Sequence, residues 1–208
     1  MNSETLVSLC LFALATSATP GPNNAMLFAS GVNFGLRRSL PHILGVTLGF
    51  TFMQLALGLG VGLVFEAVPG LYSVLRALGV GYMLYLAWAI SSAKPAELDG
   101  EAGTARPMTF LQASAFQWVN PKALMMCITA ASTYSPPDAP IAGALIVTAA
   151  FFFVGMPCVG GWAVLGSLMR GLMRDRRKLK AFNVAMASLL ALSVVPMAGE
   201  MLRDFGLL

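Results

Sequence analysis

Two short runs in this sequence combine residues that can hold a zwitterion without doing covalent chemistry. The first is Thr19-Pro20-Gly21-Pro22-Asn23-Asn24 and the second is Gln117-Trp118-Val119-Asn120-Pro121-Lys122. Proline has no N–H to donate, so Pro20 and Pro22 free the carbonyls of Thr16 and Ala18 from helical bonding, and Pro121 frees that of Gln117. Gly21 permits backbone angles that other residues resist. Pro22 and Pro121 suit the first position of a restarted helix, and Asn120 suits its cap. The N–H groups of Asn23, Asn24 and Ala25 would then point out of a helix start, at the positive end of its dipole. Such donors favour a carboxylate, whereas freed carbonyls and amide side chains favour an ammonium. The candidate binding set is therefore Thr19, Pro20, Gly21, Pro22, Asn23, Asn24, Gln117, Asn120, Pro121 and Lys122, and both ends of an amino acid can be satisfied there. No catalytic constellation and no metal-ligand cluster accompanies these runs.

The elements that must position them are membrane helices. Of 208 residues, 57% are hydrophobic and only 11% charged, against about 25% charged in an average soluble domain. Mean hydropathy is +0.76. A soluble fold of this length has too little interior for that much apolar surface, which also excludes a disordered chain, a nucleic-acid binder and a disulfide scaffold. A hydrocarbon core about 30 Å thick needs roughly 20 apolar residues per helix. Six stretches qualify: Thr5–Leu27, Pro41–Phe65, Leu71–Ser91, Thr109–Ala131, Ile141–Met169 and Ala181–Leu202. The fifth is long enough to tilt, or to bend at Pro157. The first is read as a retained span, because the residues before Leu6 include Glu4 and no Lys or Arg, unlike a secretory signal.

Pro22 and Pro121 are 99 residues apart, close to half the chain. Each half then holds three spans, and an odd number of spans inverts the second half across the bilayer. Inverted repeats with matched broken helices point to a secondary transporter and to its site. The fold expected is thus all-α, with six transmembrane helices in two inverted three-helix repeats, the first and fourth spans being broken. Repeat one covers about 1–93, a linker about 94–107 and repeat two about 108–208 of a single transporter domain. Ten cations fall in the odd connections: Arg37, Arg38, Lys94, Arg106, Arg170, Arg174, Arg176, Arg177, Lys178 and Lys180. Only Arg76 and Arg203 fall on the other side, so the odd connections are expected in the cytoplasm and both termini outside. Lys122 lies about 13 residues into its span, where insertion scales put the cost of lysine at about 2.5–3.5 kcal/mol. It either faces the cavity as counter-ion to a carboxylate or snorkels to the surface.

With these residues in view, the chain resembles the LysE/RhtB superfamily of bacterial amino-acid exporters. The likeness rests on the two proline runs, on Phe34-Gly35-Leu36-Arg37-Arg38, on Gly45 and Gly49, and on Gly81-Tyr82-Met83-Leu84-Tyr85-Leu86-Ala87-Trp88. Within the superfamily it looks closest to the cysteine/O-acetylserine exporters. The resemblance implies a multi-pass exporter of the bacterial inner membrane, without cofactor or enzyme activity, moving small neutral amino acids or their derivatives and driven by proton coupling. One departure stands out. Several relatives carry an acidic residue in the fifth span, whereas the stretch here reads Val154-Gly155-Met156-Pro157.

Other residues admit plainer uses. Gly31/Gly35, Gly45/Gly49 and Gly58/Gly62 allow close helix approach, within the bundle or at the face of a homo-oligomer, and packing within the bundle is preferred. His42 reads as a solvated residue at the cytoplasmic start of the second span, and a cover for the substrate is the lesser of the readings open to Trp118, beside the second break. Two alternatives from other classes remain: a membrane thiol oxidoreductase using Cys10 and Cys127, and a passive channel or metal-ion exporter. Neither cysteine neighbours a group that would activate it, and no carboxylate ring or His/Cys cluster is present to coordinate an ion.

Overall fold

A computed structural model describes residues 1–61, 69–92, 106–136, 138–173 and 175–204, and every regular element among them is helical. The linker expected at about 94–107 therefore lies almost wholly outside the described residues. Helix α1 (Ser3–Ala18) begins at Asn2, whose side chain accepts from the Thr5 N–H at 2.8 Å. It gives way to α2 (Pro22–Phe34) through a 54° bend at Thr19–Gly21. Gly35 follows with φ 77, a left-handed angle that favours glycine, and α3 (Leu36–Ala56) starts at the next residue. A π-helical turn, Leu57–Val61, extends α3.

Helix α4 (Pro69–Ser91) forms the third apolar segment. Helix α5 (Phe110–Gln117) is short, opened by a capping box between Thr109 and Gln112. It stops at the second proline run, and α6 (Pro121–Tyr134) restarts from an Asn120 cap. Helix α7 (Pro140–Ala150), a π-turn (Phe151–Gly155) and α8 (Met156–Met169) make one long element. Its irregularity sits just before Pro157, where the widened turn absorbs the missing proline donor. After a 3₁₀ turn (Arg170–Met173), α9 (Arg176–Asp204) begins five residues ahead of the expected span, so Arg176, Arg177, Lys178 and Lys180 occupy its first turns rather than a loop.

Four helical segments, Leu36–Gly60, Ser73–Ser91, Pro140–Met173 and Arg176–Pro196, are long and apolar enough to cross a membrane. The bent pair α1/α2 qualifies as a fifth. Large apolar side chains cover the outside: Leu111, Phe153 and Leu168 are each more than 70% exposed. Water would make that surface costly, and lipid removes the cost.

Glycines set the packing. A Cβ on Gly31 would strike the Ala163 carbonyl, and one on Gly166 would strike the Phe28 carbonyl, so α2 and α8 touch backbone to backbone. Gly45 and Gly49 do the same for α3 against Phe110 and Ser114 of α5, where Ser114 Oγ donates to the Gly45 carbonyl at 3.1 Å. Gly79 of α4 abuts the Val119 carbonyl at the second break. These glycines therefore pack the bundle, the preferred reading of the spacing, and they clamp both interrupted segments. Gly62 lies outside the described residues.

The two interrupted segments run antiparallel. Ser8 meets Tyr134 at 3.2 Å, Thr19 meets Lys122 at 2.8 Å, Asn23 meets Gln117 at 2.8 Å, and Met26 packs with Phe116. At one end of the bundle the odd connections gather, with Arg170 against Gly35 and Arg106 sharing a cavity with Phe34. Gly31→Ala should lower the unfolding midpoint in detergent, by an amount equivalent to about 1–3 kcal/mol of overpacking. Gly160→Ala, where a Cβ meets nothing within 4 Å, should leave the midpoint unchanged.

Candidate functional site

The two proline runs come together in the fold, and each satisfies groups that the other leaves open. The Lys122 ammonium donates to the Thr19 carbonyl at 2.8 Å, to Thr19 Oγ1 at 2.9 Å and to the Pro20 carbonyl at 3.3 Å. Its stem lies against Gly21, where the absence of a side chain makes room for it. Lys122 therefore reaches the facing break and lines the cavity there. The carbonyls it takes are those of the break itself, whereas two of those that the prolines release, of Thr16 and Gln117, are met by Thr19 Oγ1 and the Asn120 N–H.

Other groups at the break are met locally. Asn24 is buried and its Nδ2 donates to the carbonyls of Ser17 and Thr19, both at 2.8 Å, which fixes the bend. Thr19 Oγ1 donates to the Thr16 carbonyl at 3.0 Å, taking up one carbonyl that Pro20 releases. Asn23 and Gln117 form a reciprocal amide pair, Asn23 Nδ2 to Gln117 Oε1 at 2.8 Å and Gln117 Nε2 to Asn23 Oδ1 at 3.2 Å. Gln117 also donates to the Ala113 carbonyl at 2.8 Å, and its own carbonyl accepts from the Asn120 N–H at 3.3 Å. Asn120 caps α6 through the Ala123 N–H at 3.5 Å.

The outward-pointing donors number one fewer than the sequence suggests. The Ala25 N–H closes the first helical bond, to the Gly21 carbonyl at 2.9 Å, so only those of Asn23 and Asn24 precede the α2 ladder. They stand at the positive end of the α2 dipole, beside a cavity of about 510 Å³ counted with its open side. Gly21, Pro22, Asn23, Asn24, Asn120 and Lys122 line this space. Of the remaining candidates, Thr19 and Pro20 hold Lys122, Gln117 is fully buried against Asn23, and Pro121 starts α6.

Much of the remaining lining comes from elsewhere: Thr16 and Ser17 of α1, Val46, Thr47 and Phe50 of α3, and Phe151, Gly155 and Met156 around the π-turn. Thr47 Oγ1 is buried without a hydrogen-bond partner at the cavity wall. The one signal in the sequence that reached these residues was the stretch Val154–Pro157; Gly155 and Met156 face the cavity. No carboxylate lines the cavity among the described residues, so its one formal charge is the Lys122 ammonium.

Three side readings change. Trp118 does not line the cavity; its ring packs on Phe52 at 6.2 Å between centroids. His42 is only 2% exposed, because α3 begins six residues before it and Ser39 to Val46 bury a continuous face, so it is not a solvated interfacial residue. Cys10 and Cys127 are both free thiols, and each packs among apolar side chains with no activating group beside it among the described residues.

Comparison with known proteins agrees with this architecture. The model of the LysE type translocator family matches residues 14–198. The chain belongs to the LysE family of translocators. It is 30% identical to the "Cysteine/O-acetylserine efflux protein" of Escherichia coli O9:H4 (strain HS), over 94% of this chain and 98% of that one. It is 31% identical to the protein of the same name from Shigella flexneri serotype 5b (strain 8401), over the same shares. No solved structure matches it significantly. The translocator is thus a membrane transporter and not an enzyme.

Asn24→Asp removes both donors from the bend and sets a carboxylate against two carbonyls. The variant should unfold at lower denaturant, with a loss on the order of 1–3 kcal/mol for each orphaned carbonyl. An unfolding curve in detergent matching the wild type would contradict Asn24 as the pin of the bend.

Proposed function

We propose that this translocator exports small neutral amino acids or their derivatives, of the cysteine and O-acetylserine kind, across the bacterial inner membrane by alternating access. The observation that carries the reading is the meeting of the two interrupted segments, with Lys122 held on Thr19 and Pro20 beside a cavity at their junction. Broken helices that meet at mid-bundle are the usual site of secondary transporters. The antiparallel course of α1/α2 and α5/α6 supports two inverted repeats, with α1/α2 and α5/α6 each counted as one span of six. The gathering of Arg37, Arg106 and Arg170 at one end supports a cytoplasmic placement of that end and periplasmic termini.

In this mechanism the substrate carboxylate takes the N–H groups of Asn23 and Asn24 and the near side of the Lys122 ammonium. The substrate ammonium is met by amide oxygen and by carbonyl dipoles at the breaks. Rocking of one repeat against the other then opens the site to the periplasm. Proton coupling rests on the family, since no acid from the described residues lines the cavity.

The site charge also sets selectivity. A cationic side chain in the cavity would face Lys122 with no carboxylate to offset it, and two like charges about 4 Å apart repel by about 4 kcal/mol at an effective dielectric near 20. Cells preloaded with a mixture of labelled amino acids should lose small neutral ones and retain lysine and arginine, and a protonophore should stop the loss. Lys122→Ala, at equal membrane abundance, should abolish that export. Full export by Lys122→Ala would remove the counter-ion role, and export of dibasic amino acids would remove the charge argument.

A further inference from the structure

The translocator has a second cavity, further along α2 toward the end that carries Gly35. It measures about 810 Å³ with its open side, and Met26, Ser30, His42, Tyr85, Leu86 and Arg106 are among the residues lining it. The two cavities share walls. Asn23 and Asn24 of α2 face the central one, and Met26 and Ser30 face the second; on α3, Thr47 faces the central one and His42 the second. Asn23 at the central cavity is paired with Gln117, and Met26 at the second belongs to the same apolar cluster as the buried Phe116 next to Gln117.

His42 at this cavity is unpartnered. It is 2% exposed, yet Nδ1 and Nε2 both lack a hydrogen-bond partner, while the neighbouring polar groups are engaged: Ser30 with Ser39 at 2.8 Å, and Asn33 with Asn183 at 2.8 Å. A neutral imidazole offers one N–H donor and one bare acceptor, and leaving both unmet in a packed interior is costly. His42 lines the cavity wall, and a polar occupant that shifts the ring toward it would supply the missing partner. Arg106, exposed at the rim, supplies a positive charge, and no carboxylate from the described residues lines this cavity. The apolar remainder accepts a small side chain.

We infer that this second cavity is an intake subsite for the amino acid in transit, with its carboxylate on the Arg106 guanidinium and its ammonium donating to the bare nitrogen of His42. The subsite passes its occupant to the central cavity when the Asn23–Gln117 pair parts. The inference rests on the export reading above, and supplies the step before the substrate reaches Lys122.

The test separates the two. Binding of sulfur-labelled cysteine, kept reduced, is measured on the purified full chain and on Lys122→Ala, in which the central site is disabled. Lys122→Ala should retain weak saturable binding, and adding Arg106→Gln or His42→Asn should weaken it about ten-fold, the loss of one charge-assisted contact. Arg106→Gln sits at the exposed rim, so the test does not depend on His42→Asn folding. In vesicles loaded from either face, Arg106→Gln alone should raise the half-saturating concentration about ten-fold at the face carrying the Gly35 end. At the opposite face the value should stay at the wild-type level. Absence of binding by Lys122→Ala, or binding that both second substitutions leave intact, overturns the intake subsite while wild-type transport keeps the export reading. A wild type that neither binds nor moves any amino acid brings down both.

Discussion

A polar backbone group inside a bilayer must find its partner within the protein, and the rest of this structure follows from where that rule is bent. Most of the chain obeys it with unbroken helices. At Thr19–Gly21 and Trp118–Asn120 the helical ladder stops, and the released groups have no water to turn to in a lipid-facing position. They are satisfied by being brought together. Lys122 spans from the second break to the carbonyls of the first, Asn24 reaches back over its own bend, and Asn23 pairs with Gln117 across the gap. An ammonium that would cost several kcal/mol alone in lipid thereby offsets carbonyls that would cost as much alone.

Bringing two interrupted segments into register requires neighbours that approach closely, which explains where the glycines fall. Gly31 and Gly166 seat α2 on α8, Gly45 and Gly49 seat α5 on α3, and Gly79 presses α4 against the second break. In lipid there is little hydrophobic drive between helices, so tight backbone contact of this kind has to supply much of the association. The same contacts hold the cavity wall. Thr47 and Phe50 reach the site because α3 is drawn onto α5, and Gly155 reaches it because the π-turn presses on Ser17 of α1.

Much of this was legible in the chain before any coordinates. Proline, glycine and asparagine act through local backbone chemistry, so the two breaks, the Asn120 cap and the start of α6 at Pro121 could be read directly. The offset between Pro22 and Pro121 pointed to two facing breaks, and the structure sets them opposite each other. What could not be read is anything decided by which helix lies next to which. Burial of His42, the pairing of Trp118 with Phe52 and the lining residues Thr16, Thr47 and Phe151 depend on helix rotation, and a span that is apolar all round carries no periodic signal to fix it. The partner of Lys122 is hidden for a related reason. Sequence spacing shows that Pro20 and Pro22 release the carbonyls of Thr16 and Ala18, but not that Lys122, 102 residues from Pro20, settles on those of Thr19 and Pro20.

That occupancy changes how the site must be thought of. With the Lys122 ammonium already seated on Thr19 and Pro20, the cavity presents net positive charge and two free helix donors, and its bare acceptors are few. Under the proposed export role, an anion or the carboxylate of a zwitterion enters a field prepared for it, and a cation does not. The lysine also links the two halves mechanically, because its bonds to the first break can persist only while the breaks stay in contact. A substrate carboxylate that draws Lys122 away from Thr19 weakens the same contact that holds the segments together. In the proposed mechanism binding and the loosening of the bundle are then one event, which is what a transporter needs and what a rigid binding protein would avoid.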